Sequence, residues 1–228
     1  MKMKTANQKG FTIIELMIAS ALFAVILLVV SIGLLQIGRV YYKGVTSAYT
    51  QEVTRNIIED ISEAIQLSGE DVTNPIASNG AVRGFCVGPR RYSYQRGQLK
   101  DAPVAGQVRH AVVVDILDEC TGPGPGVSTP TIAQNINGGL TPNSRELMGE
   151  HMRLVNLAVN NLGGGFYQIT VRVVYGDNDL LCSPSLNDCA SNGVTDVNRT
   201  DLQCKSSDRG GQFCSASELT TTIQRRIQ

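Results

Sequence analysis

The chain has no surplus of either charge: lysine plus arginine number 20, and so do aspartate plus glutamate. No global field therefore recommends a nucleic acid or an anionic surface as partner. Histidine is scarce. His110 and His151 are the only two, neither has a local partner pattern, and both read as surface or structural residues. No GxSxG, HExxH, Walker A or dinucleotide-type GxGxxG pattern occurs, so the usual hydrolase, zincin and nucleotide-binding chemistries find no support. Gly122–Gly126 lacks a following Lys-Ser/Thr or helix start and reads as a loop, not a phosphate cradle. Asp177, Asn178 and Asp179 offer oxygen ligands to calcium, but their spacing is not that of an EF-hand, and a hairpin turn accounts for them better. The expectation is a protein that is not an enzyme, with no cofactor, no metal and no catalytic residue.

Three local absences are more informative. Proline is missing before Pro75, cysteine before Cys86, and charged side chains from Leu16 to Gly38. The first permits one uninterrupted helix from Phe11 to about Leu67, with Gly33, Gly38 and Gly44 as places where it could bend. The last marks a membrane span. At about 1.5 Å per helical residue, Phe11–Leu35 covers roughly 38 Å, enough to cross a bilayer with some tilt. Lys2, Lys4 and Lys9 precede the run with no acidic residue among them, a positive-inside pattern that keeps the amino terminus cytoplasmic and exports the rest. An ordinary secretory signal would be shorter and end in a small-residue cleavage site. Here the apolar run continues into helix, and it carries Glu15, which costs about 2.5 to 3.5 kcal/mol at a bilayer centre and so calls for a neutralising partner.

The 228 residues, 42% of them hydrophobic, can bury a real core. All six cysteines, Cys86, Cys120, Cys182, Cys189, Cys204 and Cys214, lie in the part expected to be exported. The tightest spacing, Cys182 to Cys189, is too wide for a CxxC zinc pair and both histidines are remote, so disulfides are the expectation. Short loops Cys182–Cys189 and Cys204–Cys214 would leave Cys86 with Cys120, although sequence alone leaves other pairings open.

The segment KGFTIIELMIAS (Lys9–Ser20) resembles the prepilin leader motif of type IV pilins and of type II secretion pseudopilins. That resemblance implies cleavage between Gly10 and Phe11 by a dedicated prepilin peptidase, methylation of the new amino group on Phe11, and pairing of Glu15 with the amino terminus of a neighbouring subunit during assembly. It also implies an inner-membrane precursor with its head in the periplasm, later an extracellular pilus. The implied partners are other major and minor pilins, an inner-membrane assembly platform and a possible tip adhesin. Many major pilins carry a helix-kinking proline in the membrane half, where this chain has Ile32. The ending GQFCSASELTTTIQRRI (Gly211–Ile227) resembles the carboxyl-terminal segments of PilW-type minor pilins.

The expected organisation is a cleaved leader at 1–10, a long helix at 11–67 and a β-rich head at 68–228, an α+β fold. Within the helix, 11–35 is transmembrane and 36–67 amphipathic. Beyond the membrane run, Val45, Tyr49, Val53, Ile57, Ile61 and Ile65, widened by Ile58 and Ala64, form an apolar stripe that needs a body to pack on. Ser20 and Ser31 could help helices approach closely. Expected strands are Ala111–Leu117, Met152–Ala158, Tyr167–Tyr175 and Glu218–Ile227, with Val159–Phe166 a hairpin loop, Thr121–Asn143 an exposed loop and Tyr175–Cys214 a disulfide-pinned excursion. One basic cluster, Arg83, Arg90, Arg91 and Arg96 interleaved with Tyr92 and Tyr94, has the chemistry to grip nucleic acid, though a solvated strand or subunit interface explains it better. The favoured function is a minor type IV pilin that initiates or caps a filament serving adhesion, twitching motility or DNA uptake. A type II secretion minor pseudopilin and a membrane-anchored DNA- or ligand-binding protein are the alternatives.

Overall fold

A computed structural model describes residues 10–77, 82–100, 109–116, 136, 138, 140, 142–190, 194, 196–205 and 210–226. It is α+β: one long amino-terminal helix and antiparallel sheets, with disulfides pinning loops. Helix α1 spans Ile13–Leu67. It stops where Gly69 adopts a left-handed φ of 65°, a conformation that suits glycine just past a helix end, while the Ser68 amide donates to the Ala64 carbonyl at 2.9 Å. By contact density the chain divides into two units, Met1–Tyr41 and Tyr42–Gln228.

In the first unit every apolar side chain from Ile13 to Ile37 is exposed, including Leu16, Phe23, Leu28 and Leu35. The helix is long and apolar enough to cross a membrane, with a mean hydropathy of 2.9 in its most apolar window. A predominantly apolar surface that, among the described residues, is left exposed is what hydrocarbon accommodates and water does not.

In the second unit α1 buries Val53, Thr54, Ile57, Ile58, Ile61, Ala64 and Ile65, a stripe at helical spacing. Val45 and Tyr49, expected on the same stripe, stay exposed, because the helix becomes buried only from Thr50 onward. Five strands form one antiparallel sheet in the order β1 to β5: β1 Thr73–Ala77, β2 Val82–Val87, β3 Arg90–Gln95, β4 Val112–Ile116 and β5 Ser144–Glu146. A second sheet has β7 (Phe166–Tyr175) between β6 (Met152–Gly163) and β10 (Ser215–Gln224). A short pair, β8 (Leu181–Cys182) with β9 (Gln203–Cys204), completes the set. The helix and both larger sheets share one core, in which Tyr92, Val112, Leu154, Tyr167, Ile169 and Val171 are fully buried around Ile57, Ile61 and Ile65.

Register on β6 is set by a bulge between Leu154 and Asn156. Met152 and Leu154 face the main core before it, Leu157 and Val159 after it, so the extra residue reverses the alternation while keeping the same face inward. Val155 is thereby turned to a second cluster with Val174, Leu181, Leu202 and Cys214. The stretch between Tyr175 and Cys214 is thus a small lobe with its own apolar centre, clipped by Cys182–Cys189 and Cys204–Cys214. Cys86 is also disulfide-bonded, and its expected partner, Cys120, lies outside the described residues.

Several expectations shift. The hairpin loop expected at Val159–Phe166 is largely strand: Asn160 pairs with Gln168 and Asn161 with Tyr167. The reversal is made by Gly163, Gly164 and Gly165, all at positive φ, which only glycine adopts freely in succession. The closing strand starts at Ser215 and ends at Gln224, instead of spanning Glu218–Ile227. Most of Thr121–Asn143 lies outside the described residues, but Ile136, expected in an exposed loop, is fully buried against Val82 and Val113, and its carbonyl accepts the His110 amide at 2.9 Å.

Two measurements check this core. Ile61→Ala should destabilise the head by about 2 to 5 kcal/mol, while Val45→Ala, at an exposed position, should stay within about 0.5 kcal/mol, read by denaturant unfolding of the full chain in detergent. In the lobe, burial alone would raise the Asp201 carboxyl, but hydrogen bonds from the Ser183 hydroxyl and Ser185 amide outweigh it and hold it down, at about 2. A depressed carboxyl stabilises above its unfolded pKa and loses that contribution as pH falls through the folded value. The lobe should therefore loosen as pH drops from about 4 toward 2, and Asp201→Asn should weaken that dependence, followed by hydrogen exchange of residues 181–190.

Candidate processing and assembly site

The helix begins with a reciprocal cap. Thr12 stands just before the first helical residue and Glu15 three positions on. The Glu15 amide donates to Thr12 Oγ1 at 3.3 Å. In return, Glu15 Oε2 accepts the Thr12 amide at 3.0 Å and the Thr12 hydroxyl at 2.8 Å. This is the capping box expected of a Thr-x-x-Glu sequence, satisfying amides that a helix start otherwise leaves unbonded. Among the described residues, Glu15 Oε1 takes no hydrogen bond. The carboxylate is fully exposed and has one oxygen to spare.

Immediately before the cap the chain is not helical. Gly10 and Phe11 are exposed, Phe11 at 88%. A Cβ built on Gly10 meets nothing within 4 Å, so the fold itself does not require glycine there. The peptide joining Gly10 to Phe11 is therefore open to solvent. Ser20, a candidate position for close helix approach, donates its hydroxyl to the Met17 carbonyl at 2.9 Å.

The basic cluster is taken apart by the fold. Arg91 is buried, its Nε 3.0 Å from Asp115 Oδ1 with a second bond to Oδ2. Arg90 pairs with Asp60 at 3.5 Å and Glu63 at 3.8 Å. Tyr92 and Tyr94 lie in the core, Tyr92 stacked on Phe85 with ring centroids 4.9 Å apart. Arg83 remains exposed and Arg96 half-buried. Charge pairing and burial thus claim Arg90 and Arg91, against the less favoured reading of Arg90, Arg91 and Arg96 as a grip on phosphates and bases.

Sequence reading passed over Asp60. It sits buried on α1 and receives the Tyr92 hydroxyl at 3.0 Å, an ion pair with Arg90 and a short contact from Arg145, so one carboxylate ties the helix to β3 and β5. Burial and the neighbouring Asp60 push the Tyr92 phenol well above its ordinary pKa. The signal for Asp60 was its place between Ile57 and Ile61, where a lone carboxylate must be paired. His110 has a structural role: it is buried and meets Glu146, 3.1 Å from Nδ1, while Glu146 also accepts the amides of Ala111, Val112 and Met148. Asp177, Asn178 and Asp179 are exposed at a tight turn where the Leu180 amide donates to the Asp177 carbonyl. The cluster Cys182, Asp188 and Cys189 has its sulfurs joined and Asp188 bonded to the Ser183 amide at 2.6 Å.

Against known families, residues 5–31 match the prokaryotic N-terminal methylation motif, which carries the prepilin-type leader. No curated protein and no solved structure gives a significant match to the chain. The matched stretch contains Gly10, Phe11, Thr12 and Glu15 together with most of the exposed apolar helix.

The cap can be tested directly. In Thr12→Ala, amides of residues 12–15 should exchange with solvent markedly faster in detergent micelles, with the helix beyond Leu16 unchanged.

Proposed function

We propose that the chain is a minor type IV pilin, a leader-processed structural subunit that helps initiate or caps an extracellular filament, and not an enzyme. The observation that carries this reading is the methylation motif at 5–31 placed at the start of a 55-residue helix whose first part exposes an apolar surface. A motif of that kind supports a subunit of the pilin or pseudopilin type. The large, disulfide-clipped head and the carboxyl-terminal resemblance favour the minor pilin.

In this reading the peptidase takes the open Gly10–Phe11 peptide into its groove. Since nothing in the chain crowds Gly10, the need for a residue without Cβ lies with the enzyme, which brings an extended backbone close. Cleavage makes the Phe11 nitrogen an ammonium, which is then methylated. The spare Oε1 of Glu15 receives the ammonium of a neighbouring subunit. Within hydrocarbon each charge alone is costly and the pair is tolerable, so the match sets the axial register of docking. The Leu16–Leu35 surface, exposed to lipid in the precursor, supplies the contact between helices in the filament. Before assembly the subunit sits in the inner membrane, amino terminus cytoplasmic and head periplasmic, and its partners are the peptidase, other pilins and the assembly platform. Roles in adhesion, motility or DNA uptake follow from the filament. A minor pseudopilin of type II secretion is the second reading, favoured by the same leader motif.

The test is intact mass of the protein from membranes and from sheared filaments of its native host. The expected product is Phe11–Gln228 with one methyl group, present in the filament fraction. Glu15→Ala should give the same processed mass, confined to membranes. An uncut chain found only in membranes, or Glu15→Ala entering filaments as well as wild type, overturns the reading.

A further inference from the structure

At the start of the second unit the helix carries Tyr42 and Lys43, both exposed. Across from them lies the end of the Cys204–Cys214 loop. Phe213 sets its ring 5.9 Å from that of Tyr42, and the Thr46 hydroxyl donates to the Gln212 carbonyl at 3.3 Å, so the loop end is held against the helix by a ring contact and a hydrogen bond. The disulfide at Cys214 fixes it from the other side. Yet Phe213 is 47% exposed and Tyr42 54%. Two aromatic rings are thus assembled side by side with about half of each surface open to solvent, and the exposed Lys43 follows Tyr42 in the chain.

Their depth follows from chain connectivity alone. The charge-free run Leu16–Gly38 covers roughly 34 Å as helix, close to the thickness of a bilayer's hydrocarbon core. Arg39 ends that run, and the three residues from Arg39 to Tyr42 span at most about 10 Å even fully extended. Tyr42, with Phe213 beside it, therefore lies within about 10 Å of the end of the charge-free run whatever the direction of the chain at Tyr41, which is within reach of the headgroup layer. That layer is where amphipathic aromatic rings and snorkelling lysines are favoured.

We propose that Phe213, Tyr42 and Lys43 form a membrane-docking surface, by which the head of the precursor rests on the phospholipid headgroups of the outer face of the membrane its helix crosses. The rings insert at the acyl-chain boundary and Lys43 meets lipid phosphate. This rests on the reading of α1 as a membrane span. Docking of this kind is released when the subunit leaves the bilayer.

The chain contains no tryptophan, so Phe213→Trp introduces a single reporter. The full-length variant is reconstituted in phosphatidylcholine–phosphatidylglycerol vesicles containing lipids brominated near the top or near the end of the acyl chain. The expected result is emission shifted to the blue and quenched more strongly by the shallow bromines. Lys43→Trp, on the helix itself, should behave alike and serves if the loop variant misfolds. Ile26→Trp should be quenched by the deep bromines. If the reporter at position 26 is quenched while those at 213 and 43 are untouched by either lipid, the docking surface is refuted and the span stands. A blue shift without quenching also refutes it, since the ring is then packed on protein. If the reporter at position 26 escapes quenching, the span fails and the docking surface with it.

Discussion

A backbone inside hydrocarbon has no water to bond with, so each amide and carbonyl must find its partner within the segment. That constraint governs the first part of this chain. A helix meets it, and the absence of proline between Gly10 and Pro75 lets one helix meet it without a break. The helix start, where orphan amides would otherwise be left, is closed by Thr12 and Glu15. Continuity has a second consequence: the same helix, carried past the apolar run, presents Ile57, Ile61 and Ile65 as the centre around which both sheets are packed.

Among the described residues of the head, several charged groups enter the interior together with a partner. Asp60, Arg91 with Asp115, and His110 with Glu146 are each paired, and they connect elements far apart in sequence: helix to β3 and β5, β3 to β4, the start of β4 to β5. Unpaired, any of these charges would cost more than the packing around it contributes. They restrict which strand lies beside which, a matter on which an aliphatic core is permissive.

The helix was legible because its signals are negative and cumulative: no proline, no charge, then an amphipathic repeat. The head was legible in outline. Alternation in Tyr167–Tyr175 located β7, and the glycines at 163–165 located its turn, but asparagines at 160 and 161 suggested a loop where the ladder in fact continues. The bulge at β6 has no local signature, since Val155 is as apolar as its neighbours and only the second cluster makes sense of it. The arginine–tyrosine run looked like a surface from its composition; that Tyr92 and Arg91 both turn inward depends on Asp60 and Asp115, which are 32 and 24 residues away. At the amino terminus both the leader residues and the cap are legible, since Thr-x-x-Glu before an apolar run spells the cap out, though only the leader was read from it.

The β6–β7 reversal is made by three glycines in a row, and no atom lies within 4 Å of where a Cβ on Gly163 would stand. The tip is exposed and asks for residues that accept positive φ, not for contact with the core. It is a natural place for foreign sequence: a short flexible epitope at this tip, flanked by glycines that keep the turn, would mark the head at a point away from its core. A protein tagged there could be followed by light microscopy in its native host.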